Sequence, residues 1–127
     1  MYAILNQNML VKNMNDCKEF VAGDGTLLRE VLHPKNDGVE LKFNVAYARV
    51  KPGKSSFKHR MKTSTEVYYI LNGRGMMYID KESKEVGVGS TVYIPPNSVQ
   101  YIKNLGTDDL EFVCIVNPPW TADDEAD

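Results

Sequence analysis

Cysteine and histidine are scarce in this chain, and the scarcity removes several functions at once. Two cysteines, Cys17 and Cys114, in 127 residues are too few for a disulfide scaffold and too few for a cysteine-rich zinc site. Cys114 lies in an apolar run, where cysteine behaves as a small hydrophobe, so a catalytic or redox pair is not expected. Histidine occurs only as His33 and His59. Charge of either sign is not in excess: a formal net charge of −2 gives no reason to expect a nucleic-acid partner. No apolar run approaches membrane length, and residues 1–20 lack the apolar core of a signal peptide. A cytoplasmic protein without a membrane partner is the expectation. Long helical periodicity is missing as well.

What remains is ordinary for one globular domain: 43% hydrophobic and 25% charged residues, with room for a sizeable core. Residues 1–8 read as an N-terminal arm, 9–120 as the domain, and 121–127 as a mobile, solvated tail with four acids and no base. Met9-Leu10-Val11 suggests a first edge strand, and Asn15 or Asp16 a cap for one helical turn through Phe20. Leu27 to Leu32 reads as a strand ended by His33-Pro34, which places His33 in a surface loop. From Val39 to Ala48 apolar residues alternate with polar or small ones, as in a half-buried antiparallel strand. Further strands are expected at Met76–Asp80, Thr91–Ile94, Val99–Lys103 and Leu110–Val116, with Lys81–Lys84 as a loop. Many short strands separated by Gly and Pro turns predict an all-β sandwich or barrel.

The densest stretch runs from Gly53 to Gly73. Phe57, His59 and Met61 alternate with Lys58, Arg60 and Lys62, so the first three share a strand face and the bases take the solvated one. Thr63 to Thr65 turn the chain, and Glu66 opens the β-branched and aromatic run Val67 to Leu71 before Asn72-Gly73, a hairpin signal. Antiparallel pairing of the two strands would bring Glu66 beside His59. Tyr68 shares the parity of Glu66 and is the best pocket candidate among the tyrosines.

The spacing Gly53-x5-His59-x-Met61-x4-Glu66-x6-Gly73 resembles the first motif of the cupins, G-x5-H-x-H-x4-E-x6-G. Gly89-x5-Pro95-x-Asn97-x2-Gln100-x3-Asn104 resembles their second, G-x5-P-x-G-x2-H-x3-N. The resemblance implies a jelly-roll barrel, the double-stranded β-helix, and a homodimer. It also implies a metal site of three histidines and one glutamate, but with two histidines a three-histidine site within one chain is excluded by counting. Met61 and Gln100 stand where histidines would, and Asn97 where a glycine would.

At the matched positions, His59, Glu66 and Gln100 would hold one divalent ion such as Zn, Fe, Mn or Ni, with water completing the shell. Met61, a soft thioether, is a weaker fourth position and otherwise core filler. Against that stands a histidine hydrogen-bonded to Glu66 or Gln100 with no metal role. Pairing would raise the pKa of His59 and depress that of Glu66 unless desolvation wins; in the latter case Glu66 becomes a general acid or base. The sequence thus points to a cupin barrel that binds a small polar organic molecule, sugar- or keto-acid-like, through His59, Met61, Glu66, Tyr68 and Gln100. A metal-dependent isomerase, lyase or oxygenase with Glu66 and Tyr68 as catalytic groups is the alternative. A non-catalytic binding module is the third.

Overall fold

The computed structural model describes residues 8–127, so the predicted arm at 1–8 lies almost wholly outside the described residues. Eleven strands follow one another: β1 (Glu19–Val21), β2 (Leu27–Leu32), β3 (Asn44–Val50), β4 (Arg60–Met61), β5 (Thr65–Asn72), β6 (Arg74–Ile79), β7 (Glu82–Gly87), β8 (Thr91–Ile94), β9 (Gln100–Asn104), β10 (Leu110–Asn117) and β11 (Glu125–Ala126). The α-helical structure among these residues is a single turn, α1 (Pro34–Asp37). Six strands form one sheet in the order β1-β2-β3-β10-β5-β8, three form a second in the order β7-β6-β9, and β11 pairs with β4. All these pairings are antiparallel. The result is the expected jelly-roll barrel.

The two sheets close on a core in which Ile70, Ile94, Ile102, Leu110 and Phe112 are fully buried. The turn between β5 and β6 shows how tightly. Gly73 adopts φ +86°, and a Cβ there would stand 2.8 Å from the carbonyl oxygen of Asp109. Only glycine meets both demands. Asn97, at a position where the cupin motif carries glycine, takes φ 63°, a left-handed conformation that asparagine tolerates better than other side chains. Its N–H donates to the Met61 carbonyl at 2.6 Å, tying the second motif to the first.

Several local expectations are corrected. Met9 to Val11 form no strand. A 3-10 turn at Met14–Asp16, capped by the Asn13 side chain, replaces the helical turn, and Phe20 belongs to β1. Lys81–Lys84 is not a loop, because β7 already begins at Glu82, paired with Ile79. The strand expected from Val39 begins only at Asn44, and its buried inner face is Asn44, Ala46, Ala48 and Val50. A cavity lies over that face, and small side chains leave it room.

His33 is not at the surface. It caps α1, with Nδ1 accepting from Lys35 N–H at 3.1 Å. Nε2 is therefore the protonated nitrogen, and it donates to the Trp120 carbonyl at 3.1 Å.

The acidic C-terminal segment is not a free tail either. Beyond β10 it folds back as a strap. Trp120 N–H donates to Asn44 Oδ1 at 2.7 Å, and Glu125 pairs with Met61 through β11. Asp124 accepts from Thr63 N–H, Thr63 Oγ1 and Ser64 N–H at 2.7–3.0 Å. These bonds hold the Asp124 carboxyl below its usual range even though burial pushes the other way.

Candidate functional site

Along β5 and β3, and from Ile102 to Gln100 on β9, inward side chains change character towards one end, whereas on β10 they stay apolar from Leu110 to Val116. On β5 they run Ile70, Tyr68, Glu66; on β3 Val50, Ala48, Ala46, Asn44; on β9 Ile102, Gln100. At the polar end lies a cavity of about 160 Å³. Leu28, Ala46, Ala48, Phe112, Cys114 and Val116 supply most of its apolar wall. A larger hollow of about 410 Å³ lies by β7 and β8, but its charged residues Glu82, Lys84 and Glu85 are exposed, so no polar group there is desolvated.

His59, Met61, Glu66 and Tyr68 all line the 160 Å³ cavity. His59 and Glu66 meet there by a route the sequence did not suggest. β4 pairs with β11 rather than β5. His59 instead bridges to Gln100, with His59 N–H to the Gln100 carbonyl at 3.1 Å and the reverse bond at 2.8 Å. Gln100 then spans from the small sheet to the large one. Its Nε2 donates to Glu66 Oε1 at 2.7 Å, and its Oε1 accepts from the Tyr68 hydroxyl at 3.1 Å. Gln100 is only 1% exposed and is not part of the cavity wall; it is the brace behind it.

The proton inventory follows from these bonds. His59 Nδ1 lies 3.0 Å from the Phe57 carbonyl, which can only accept, so Nδ1 carries a proton. Nε2 faces Asp24 Oδ2 at 3.7 Å, beyond hydrogen-bond length. Burial lifts the Glu66 carboxyl to about 7, against the opposing pull of the His59 charge and the Gln100 bond. Desolvation therefore prevails over pairing at Glu66. Burial, reinforced by Glu66, holds the Tyr68 phenol well above its ordinary value, so Tyr68 stays a hydrogen-bond donor.

The cupin metal can be tested against this donor set. The Gln100 amide oxygen is engaged by Tyr68, and its nitrogen by Glu66. Among the described residues no three His, Cys, Asp or Glu side chains converge as a metal site. The geometry does not fit a resident divalent ion held by His59, Glu66 and Gln100, and no chemical step is routed through one.

Asp24, Glu30, Asn44, Trp120 and Glu125 are among the wall residues outside the motifs that sequence reasoning missed. Asp24 Oδ1 accepts from Thr26 N–H at 3.0 Å and Thr26 Oγ1 at 2.7 Å, an Asx turn that aims the carboxylate inward. Glu30 Oε1 accepts from Asn44 Nδ2 at 3.0 Å, and burial raises its pKa despite that bond. The one available signal was Pro118-Pro119-Trp120, a break that turns the chain back before the acidic segment.

Comparison with known proteins agrees with this architecture. The family profile of the cupin domain matches residues 46–116. An uncharacterized protein of Methanocaldococcus jannaschii is 36% identical over 121 residues, covering 95% of this chain and 96% of that one. The oxalate-binding protein of Thermotoga maritima is 28% identical over 108 residues, 84% of this chain and 83% of that one. The Streptomyces nucleoside dehydratase Pac13, solved with uridine, superposes with a TM-score of 0.73 at 21% identity, covering 94% of this chain and 90% of that one. No helix among the described residues is long and apolar enough to cross a membrane. With the profile spanning more than half of its length and both motifs in place around one barrel, the chain belongs to the cupin family.

Proposed function

We propose that the barrel binds a small hydroxyl-bearing organic molecule, sugar-like rather than keto-acid-like, with its polar edge on His59 and Glu66. One observation carries the reading. Inside a largely apolar cavity, His59 and Glu66 are 6% and 7% exposed. Neither His59 Nε2 nor Glu66 Oε2 makes a hydrogen bond among the described residues. These nearly buried groups present their unbonded atoms to the cavity, and a hydroxyl, which both donates and accepts, suits this pair. A keto acid would instead bring a carboxylate to a wall that carries no Lys or Arg.

Trp120, the sole tryptophan, lies at this wall and reports occupancy by its fluorescence. Titration with a panel of sugars and keto acids should give saturable changes for sugars that His59→Ala abolishes. No saturable change with any member of the panel counts against the reading.

A second reading, in which the bound molecule is also turned over, rests on Glu66. A carboxyl that titrates near 7 beside an imidazole is suited to general acid–base transfer, with Gln100 and Tyr68 as its positioning residues. Turnover should then be lost in Glu66→Gln while ligand binding survives.

Assembly is a separate part of the proposal. The outer face of β5 and β8 leaves Tyr69, Leu71 and Tyr93 exposed, and a second copy of the chain would cover them. Light scattering at micromolar concentration should give a dimer, weakened by Tyr69→Glu; a clean monomer would sink it.

A further inference from the structure

The charge of the cavity wall narrows the ligand further, on the premise that the barrel binds one. Four carboxyl groups line it, from Asp24, Glu30, Glu66 and Glu125, and among the described residues His59 is the only basic side chain there. These acids come from four separate places in the chain: the turn after β1, β2, β5 and the C-terminal strap. No local run of acids explains their convergence.

From behind the wall His33 and Lys12 pull on Glu30, but no Lys or Arg among the described residues forms an ion pair with any of the four. Arg49, which binds Glu19 and Asp109, faces the other side of the sheet. Lys12 is engaged with Asp37.

Each wall acid holds its carboxyl in place with neutral donors. Thr26 serves Asp24, Asn44 serves Glu30, Gln100 serves Glu66, and the Trp120 indole serves Glu125 at 3.3 Å. One oxygen each of Glu30 and Glu66 is left without a hydrogen bond among the described residues. Glu66 is more than nine-tenths buried and lines the cavity. Carboxyl oxygens that open onto the cavity without a protein donor can take one from a ligand.

Aromatic surface completes the pattern. Phe20 and Trp120 also line the cavity and remain 43% and 38% exposed, so they stand at its rim. A Cβ on Gly23 would lie 3.1 Å from Glu125 Oε2, which puts this carboxylate against the Gly23-Asp24 turn. Carboxylates gathered at an aromatic rim, with Glu125 held by the Trp120 indole N–H, offer a seat for an organic cation by charge.

We propose that the ligand of this barrel carries a protonated amino group, seated among the wall carboxyls of Asp24, Glu30, Glu66 and Glu125. An amine supplies the donors that the free carboxyl oxygens lack and cancels their mutual repulsion. A carboxylate ligand would add like charge in a desolvated space, a built-in discrimination against anions. The proposal separates this barrel from its oxalate-binding relative by ligand charge.

The test uses two matched sets of probes: 2-amino-2-deoxyglucose, glucose and glucuronate; and ethanolamine, ethylene glycol and glycolate. Binding to the full chain is read by Trp120 fluorescence and by NMR shifts of cavity residues. In at least one set the amine should bind about tenfold or more tighter than the neutral member, and the acid weakest. Glu125→Gln should reduce the amine's advantage over the neutral probe severalfold. Glu30→Gln serves as a second variant should Glu125→Gln loosen the strap.

Equal or tighter binding of the neutral or acidic member overturns the inference, yet leaves barrel binding itself standing. So does an amine advantage that survives intact in both variants. If no probe and no member of the wider sugar and keto-acid panel shifts any cavity resonance, barrel binding fails and the inference falls with it.

Discussion

The two ends of this barrel are built from the same strands but obey different rules. At one end Ile70, Ile94, Ile102, Leu110 and Phe112 fill the interior, each excluding water and packing at close to crystal density. Further along β5, β9 and β3, the inward positions hold Glu66, Gln100, Ala46 and Asn44. Here space is left open, and the buried polar groups are held by one another. The Tyr68 ring marks the boundary, packed on Phe112 with centroids 4.6 Å apart while its hydroxyl reaches Gln100. A jelly roll can afford an unfilled end because the filled end and the hydrogen-bonded sheets carry the stability. Function is thereby confined to side chains that the fold does not need for packing.

If that division holds, truncation should cost very different amounts at the two ends. Ile70→Ala leaves a void in the filled end and should destabilise by about 2–5 kcal/mol. Cys114→Ala, on the wall of an existing cavity, should cost roughly 1 kcal/mol or less, because little new void is created. Urea unfolding of both variants measures the contrast. Equal losses would mean that the polar end is packed as tightly as the other.

The same contrast explains what the sequence made legible. Strand alternation and the two glycine-framed motifs report local rules, so the barrel and the cavity positions of His59, Met61, Glu66 and Tyr68 could be read directly. Gln100 could be located but not oriented. Its motif position puts it beside His59, yet only the distance between the sheets decides that its amide braces Glu66 and Tyr68 instead of facing the cavity. The inner face of β3 was hard to read for a different reason. Asn44, Ala46 and Ala48 look like the solvent side of an amphipathic strand, because a cavity wall and a surface both tolerate small or polar residues. Asp24, Glu30 and Glu125 were invisible for a third: they reach the site only through tertiary contacts, and an acidic C-terminal segment has the composition of a solvated one.

The second prediction concerns the buried carboxyl that sets the polar end apart. Glu66 is lifted from 4.5 to about 7 by burial, partly offset by His59 and Gln100. An acid whose folded pKa is raised favours the folded state in its protonated form. That contribution is complete below the unfolded pKa and is lost as pH rises through the folded value. Between about pH 4.5 and 7 stability should therefore fall by up to roughly 3 kcal/mol from this group. Glu66→Gln, a permanently neutral isostere that can still accept from Gln100, should flatten the slope and leave the protein more stable than the parent at pH 8. Chemical denaturation across this range checks it. A parent whose stability rises over the same window, with Glu66→Gln following it, would show that the carboxyl is ionised and well paired.

The smallest effect is expected where the strap closes the polar end. Asp124 accepts three hydrogen bonds from the Thr63-Ser64 turn, in the manner of a helix N-cap but serving the turn between β4 and β5. Its carboxyl is partly exposed, so its removal leaves donors that water can reach, and Asp124→Ala should cost only about 0.5–2 kcal/mol of global stability. The local consequence should be larger than the global one. Asp124 is the last residue before β11, and β11 carries Glu125 and pairs with Met61 at the cavity. Releasing it should raise hydrogen exchange at Lys62, whose N–H donates to the Asp124 carbonyl at 2.8 Å, and at Ala126, while amides of Ile70 and Phe112 keep their protection. Because the Asp124 pKa is depressed, the same opening should develop in the parent as pH falls through the folded value of that group, and be absent in Asp124→Asn. Uniform loss of protection across β5 and β10 in Asp124→Ala would mean that the strap is part of the packed barrel, and the two ends would then not be separable.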